Sequence, residues 1–239
     1  MMAADGFAGL GNAVQRKGSA QQLADEILGR ILGGDISPGT PLRESVVARE
    51  AGVARNTVRE AIRILVADGL VQHFPNRGAA VCELTGDDVR DLYRVRLMAE
   101  LEGIRSATGL SPAQQATFEQ SLAAFGEAAE SNDPNAFVAA DLNFHTLLVD
   151  LAGSPRLDRL YRSITNEVRF GFSLLTAADR EVEYSEPLVS EHRAIYQALA
   201  GGKLDRCAEL LTEHLEHYKC RMADLVERRS EQRPAAAGE

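Results

Sequence analysis

The sequence predicts a mainly α-helical protein in two parts. The first is an N-terminal winged helix-turn-helix with a small β-hairpin wing; the second is a C-terminal all-α bundle of six to seven helices. Three observations predict this. Across residues 20–83, punctuation orders the chain as helix, helix, tight turn, helix, hairpin. After Thr85 no strand signal returns, and apolar residues recur at the helical period. Charge is also split. Residues 20–80 hold seven arginines, no lysine and seven acids, so the formal net charge of -9 falls on the rest of the chain.

Taken in order, residues 1–19 are small and polar and read as a disordered arm. Residues 20–33 place Leu23, Ile27, Leu28 and Ile31 on one stripe, and Gly33-Gly34 stops that helix. The segment DISPGTPL reads as a turn-rich loop. A short helix from Glu44 to Ala51 stops at Gly52, and a second from Arg55 to Asp68 stops at Gly69. LVQHFPNRGAAVCEL then reads as two short strands with Pro75-Asn76-Arg77-Gly78 as the tip. Together these form the predicted winged helix-turn-helix unit over residues 20–83.

Residues 84–229 read as an all-helical second domain, with a disordered tail over 230–239. Its predicted helices are 86–108, 111–130, 133–152, 156–177, 184–200 and 203–229, separated by Ser111-Pro112, Asp133-Pro134, Gly153-Ser154-Pro155, Pro187 and Gly201-Gly202. At 45% hydrophobic and 26% charged, the chain can bury a real core. Cys82, Cys207 and Cys220 are odd in number and far apart, which excludes a disulfide framework and fits a reducing cytoplasm. The N-terminus lacks a signal-peptide pattern, and no stretch approaches the ~20 apolar residues that span a bilayer.

The helix from Arg55 carries the functional signal. On a helical wheel Val58, Ala61, Ile62 and Leu65 fall on one arc, and Arg55, Asn56, Arg59 and Arg63 on another. Asn and Arg can read base edges bidentately in a major groove, and Arg also pairs with phosphate. The bland alternative is a solvated face with Glu60 as a local partner. The complete order of elements, with Arg77 and Gly78 at a hairpin tip, favours double-stranded DNA as the partner.

These residues carry a resemblance. Residues 31–81, with Gly34, Pro38-Gly39, Leu42, Ala48, Gly52-Val53, Arg55, Val58-Arg59-Glu60-Ala61, Leu65, Gly69-Leu70-Val71, Pro75, Arg77-Gly78 and Val81, closely resemble the winged helix-turn-helix of the GntR family of bacterial transcription regulators. The resemblance implies that Arg55, Asn56 and Arg59 contact operator DNA from the recognition helix, and Arg77 and Gly78 from the wing. Two departures stand out. Ala54 replaces the usual Ser or Thr, which forfeits a helix cap of ~1 kcal/mol. Ser45 stands where some relatives place an arginine, with Arg43 and Arg49 as substitutes.

The second part holds His145, His192, His214 and His217, and His73 lies beside the wing. Asp141 precedes His145 by four, so both leave one helix on the same side. One carboxylate and three imidazoles from three helices could converge inside a bundle and ligate a metal. On spacing alone, histidines scattered over helices are more often hydrogen-bonded or exposed than metal-bound. Residues 86–229 also resemble the ligand-binding (FCD) domain of the FadR subfamily, through DLYRVRLMAE, ADLNFHTLLVDLAGSPRL and EHRAIYQALAGGKLDRCAELLTEHL. The resemblance puts Asp141, His145, His192 and His214 at the places of a divalent-metal set, with His217 outside it. Such an oxygen and three-nitrogen set suits Zn, Ni or Mn.

By the same resemblance Arg96 projects into the cavity toward a small carboxylate effector; Arg162 and Arg169 are weaker candidates. The plain alternative for Arg96 is a helix-face pair with Glu100, worth a few tenths of a kcal/mol. Ser154 replaces a common Asn, a loop-level departure. The reading is then a cytoplasmic, homodimeric regulator with no enzymatic activity, most simply a repressor released by its effector. A metal-dependent enzyme with a His3Asp centre, or a regulator with a purely structural metal, is the alternative.

Overall fold

The computed structural model describes residues 10–74, 78–131, 133–173 and 186–232. The chain divides between Glu83 and Leu84 into two compact units. The sequence-predicted arm residues 1–9, wing residues 75–77 (Arg77 among them), helix residues 174–177 and 184–185 and tail residues 233–239 lie outside the described residues.

The first unit is built from α1 (Leu10–Leu32), β1 (Pro41–Leu42), α2 (Glu44–Ala51), α3 (Arg55–Ala67), β2 (Val71–Phe74) and β3 (Gly78–Val81). Helix α1 begins ten residues before the sequence-based start, so residues 10–19 are helical and not a disordered arm. Nothing there forbids it: the run has no proline, and a glycine such as Gly18 costs only ~1 kcal/mol in a helix. The buried face of α1 is Ala20, Ala24, Ile27 and Ile31, packed on α3. Leu23 and Leu28 are half-buried at its margins.

Helix α2 closes at Gly52, whose φ of 66° is the left-handed conformation a glycine adopts without strain. That turn lets Val53 N–H reach Ala48 O at 3.1 Å and redirects the chain into α3. The three strands are antiparallel in the order β1-β3-β2, with Leu42 opposite Ala79 and Phe74 opposite Gly78. Strand β1 had read as loop, because two residues are too few to show an alternation. Its Pro41 sits on an edge strand, where a missing N–H costs no ladder bond.

The second unit is helical throughout its described residues: α4 (Gly86–Ser106), α5 (Pro112–Ser131), α6 (Pro134–Asp150), α7 (Pro155–Ser173), α8 (Glu186–Ala200) and α9 (Leu204–Gln232). Thr85 and Asp88 form a reciprocal capping box that fixes the start of α4. Asp133 caps α6 through Asn135 N–H and Ala136 N–H. Helix α9 runs to Gln232, past the expected start of the tail, since Glu and Arg favour helix until Pro234 intervenes.

Helices α4, α5, α6, α7, α8 and α9 surround one apolar core that includes Leu92, Phe118, Phe144, Leu148, Ile195, Leu211 and Leu215. Helices α4 and α6 cross closely at Gly103. A Cβ there would stand 1.9 Å from Leu148 O, so only glycine permits the approach. Inside this core the acidic, guanidinium and imidazole side chains of Arg96, Glu100, Asp141, His145, His192 and His214 are buried. Among the described residues, no helix is long and apolar enough to cross a membrane.

Candidate DNA-reading helix and candidate metal centre

Helix α3 is divided as its pattern predicts. Val58, Ala61, Ile62 and Leu65 are at most 5% exposed. Arg55, Asn56, Arg59 and Arg63 are on the exposed side. Ala54 stands at the N-cap with extended backbone and no side-chain cap bond, as the missing hydroxyl requires.

Arg59 is held in place by a residue that spacing could not reveal. Its Nε and Nη2 donate to the two carboxylate oxygens of Glu44 on α2, at 3.0 and 2.9 Å, and Nη1 lies 3.4 Å from Asn56 Oδ1. The Arg59 hydrogen bonds hold the Glu44 carboxyl below its ordinary range. Glu60 turns instead to Arg63, at 2.6 Å. The fork thus spans the helix-turn-helix and orients Arg59 while occupying its Nε–H and one N–H of Nη2. Arg55, at the first turn of α3, is exposed; Gly78, at the start of β3, is exposed with φ of 83°. His73 is exposed on β2.

The buried centre gathers Asp141 and His145 from α6, His192 from α8 and His214 from α9. One ligand-capable atom of each lies within 4.8 Å of those of the others. His217, one turn along α9, is exposed beside Tyr218 and outside the group. Arg162 is exposed and Arg169 half-buried.

The hydrogen bonds behind the imidazoles fix what they present. His192 Nδ1 donates to Leu188 O at 2.8 Å, and a carbonyl can only accept. His145 Nδ1 donates to Glu100 Oε2 at 2.6 Å, and His214 Nδ1 to Glu191 Oε2 at 2.8 Å. Each ring then carries its proton on Nδ1 and turns a bare Nε2 inward. His145 Nε2 and His192 Nε2 are 3.1 Å apart, and Asp141 Oδ1 lies 3.1 Å from His192 Nε2 and 3.7 Å from His145 Nε2. Acceptors meeting acceptors at such distances repel. A cation among them turns the repulsion into ligation, so the donor set fits a divalent ion.

Titration points the same way. Burial lowers the pKa of His145 and of His214, which keeps both rings neutral near pH 7. Phe125 and Phe144 pack edge-on against His192 with centroids at 4.7 and 4.8 Å and keep the ring dry.

Arg96 lies inside the bundle, not on a helix surface. It does pair with Glu100, Nε to Oε1 at 2.8 Å, but the pair is 2% and 0% exposed rather than lying on a helix surface. Tyr161 donates its hydroxyl to the same oxygen at 2.5 Å. Burial and the Glu100 charge push that hydroxyl well above its usual pKa, so it stays a donor. For Glu100, burial raises the carboxyl's pKa and Arg96 opposes the rise. The Arg96 Nη2 atom is buried without a hydrogen-bond partner, 3.7 Å from Asp141 Oδ2. A desolvated guanidinium nitrogen left open beside the centre is a place for an acceptor. Glu100, Tyr161 and Glu191 were not recognised as parts of the site. Glu191 was visible only as the neighbour of His192, and Tyr161 gave no signal.

Comparison with known proteins agrees with this architecture. The bacterial regulatory proteins, gntR family, match residues 19–81, and the FCD domain matches residues 91–217. A probable D-xylose utilization operon transcriptional repressor of Paenarthrobacter nicotinovorans is 31% identical over 201 residues, 83% of this chain and 86% of that one. The HTH-type transcriptional repressor RspR of Escherichia coli (strain K12) is 30% identical over 186 residues, 76% and 78% of the two chains. A crystal structure of a GntR transcriptional regulator from Rhodococcus sp. RHA1 shares 32% identity with a TM-score of 0.72, covering 86% of this chain and 97% of that one. The chain belongs to the gntR family of bacterial regulatory proteins, with an FCD domain as its second part, and is a transcriptional regulator rather than an enzyme.

Proposed function

We propose that this regulator binds double-stranded operator DNA as a homodimer, with Arg55, Asn56 and Arg59 of α3 in the major groove and Arg77 and Gly78 of the wing against the neighbouring groove or backbone. Asp141, His145, His192 and His214 hold a divalent ion, Zn, Ni or Mn, and a small carboxylic acid binds beside it with one oxygen on Arg96 Nη2. An ion held there would supply positive charge to a carboxylate. Arg96 fixes the other end of the effector, and Glu100 and Tyr161 hold Arg96 still.

Control is by population shift. The effector favours one arrangement of the bundle, and a coupling of about 1–3 kcal/mol moves operator occupancy severalfold or more. Two relatives named as repressors support repression relieved by the effector. The observation that carries the reading is the convergence of bare nitrogens and a carboxylate beside an open guanidinium nitrogen.

The test is elemental analysis of protein purified without chelator, followed by melting with a panel of small carboxylic acids before and after chelation. Stoichiometric metal in the wild type, its loss in His192→Ala and an acid-induced shift that chelation abolishes are expected. A wild type without metal refutes the metal centre. The near-complete burial of the four ligands also favours a second reading, a metal staple that senses nothing. It predicts a lower melting temperature on chelation with no acid response in either state.

A further inference from the structure

The bundle's outer surface carries a stripe whose charges complement themselves. Among the described residues of this unit, the exposed large apolar side chains are Val95 and Met98 on α4 and Leu160 on α7, at 42, 66 and 66%. Arg96, Ala99, Glu100, Gly103 and Ile104 face the interior of α4. Asp91, Arg94, Val95, Met98, Glu102 and Arg105 are exposed on its other side, with Leu101 half-buried. Steps of three and four residues align these along one straight strip of helix.

About Met98 the strip is antisymmetric in charge. Arg94 and Glu102 stand four residues to either side of it, and Asp91 and Arg105 seven. When a helix packs antiparallel on its own copy across a two-fold axis, each residue meets the one equally far beyond the axis. With the axis at Met98, Arg94 meets the partner's Glu102, Asp91 meets the partner's Arg105 and Val95 meets the partner's Leu101. Moving the axis to midway between Val95 and Met98 sets Asp91 against the partner's Glu102, two like charges. Moving it two residues the other way sets Met98 against the partner's Glu102.

We infer that the outer face of α4 is the surface on which two copies of this chain associate, antiparallel, with Met98 on the two-fold axis. This rests on the homodimer proposed above and adds the surface and its register. Apolar side chains occupy the centre and opposite charges close both ends, so the occupant it fits is a second copy. Leu160 is an exposed apolar side chain on α7, the helix that packs on α4. Leu101 and Arg105 also line an open groove of about 1060 Å³ between α4 and α9, which leaves room for side chains from the partner. The inner face of the same helix carries Arg96 and Glu100, so one rigid element joins this surface to the buried centre.

Two measurements on the full chain test the inference. In a Cys82→Ser, Cys220→Ser background, with Cys207 buried, Met98→Cys is treated with a short bismaleimide. A covalent dimer is expected, and none from Gln120→Cys on α5. Sedimentation equilibrium then follows charge reversal. Arg94→Glu and Glu102→Arg are each expected to weaken the dimer about tenfold, because the two-fold axis doubles every clash. The double variant returns to within about twofold of wild type, by exchanging the signs. Arg94 also pairs with its own Asp91 at 2.9 Å, a local bond that the double variant does not restore, so rescue reports the contact between copies. A dimeric wild type with no cross-link at position 98 and unchanged reversal variants overturns this surface and leaves the dimer standing. A monomeric wild type overturns both.

Discussion

Replacing Glu100 by Gln changes almost no volume and reverses one proton. In the wild type Oε1 accepts from Arg96 Nε at 2.8 Å and Tyr161 at 2.5 Å, while Oε2 accepts from His145 Nδ1 at 2.6 Å. Gln has one acceptor and one donor end. Two donors already point at the Oε1 position, so the amide oxygen must take it and the NH2 must face His145. His145 Nδ1 can accept only as the other tautomer, which moves its proton to Nε2 and removes the lone pair from the centre. Losing such a support costs metal affinity about 10–100-fold, or about 1.4–2.7 kcal/mol. The substitution also leaves Arg96 buried with Asp141 as its nearest remaining charge, 3.7 Å away, so the melting temperature of the metal-free protein falls as well. A Zn²⁺ titration against a competing chelator, on wild type and Glu100→Gln whose far-UV spectra match, reads the affinity directly. Affinity within about twofold of wild type refutes the reasoning. It would mean that Oε2 already carries a proton and donates it to His145.

The other predictions draw on different parts of the chain. Gly103→Ala puts a methyl 1.9 Å from Leu148 O and 2.7 Å from Leu148 C, so α4 and α6 must part. A loss of about 3 kcal/mol and weaker metal binding are expected in thermal and chelator titrations. Lowering the pH should destabilise the metal-free bundle. Burial sets the folded pKa of His145 and His214 below the unfolded value, so the stabilisation is present above ~6.5 and drains as pH falls beneath it, by up to ~1.4 kcal/mol per pH unit per ring. Melting in chelator from pH 7.5 to 5.5 checks it, and a flat profile contradicts it. Arg55→Ala and Arg59→Ala should each weaken operator binding and flatten its salt dependence, by about one unit of slope per lost phosphate contact. Glu44→Gln, which releases the Arg59 fork and removes a negative charge from the DNA face, should tighten binding to any duplex in a gel-shift series.

Periodicity within one helix made part of this molecule legible, and the limits of periodicity explain what was not. The two arcs of α3 and the Asp141–His145 pair depend on residues three and four apart on a single rod, a relation the sequence states outright. The same holds for the helices of the bundle, whose ends are written in Pro, Gly and capping residues such as Thr85 and Asp133. Convergence of His192 and His214 on that pair depends on how three helices cross. Resemblance could suggest it, but spacing could not. Glu100 shows the boundary most sharply. Its distance of four from Arg96 fits an ordinary surface pair as well as a buried one, because the sequence does not say which face of α4 is turned inward. Gly103, three residues on, was the available clue. It allows α4 to lie against the backbone of α6 at Leu148, and that approach carries Glu100 to within 2.6 Å of His145. Glu44 escaped for a similar reason: its partner Arg59 lies across the Gly52 turn, on the next helix. Both carboxylates orient a working side chain from a different element. Polar residues of that kind are chosen by tertiary geometry, and no period within one helix marks them.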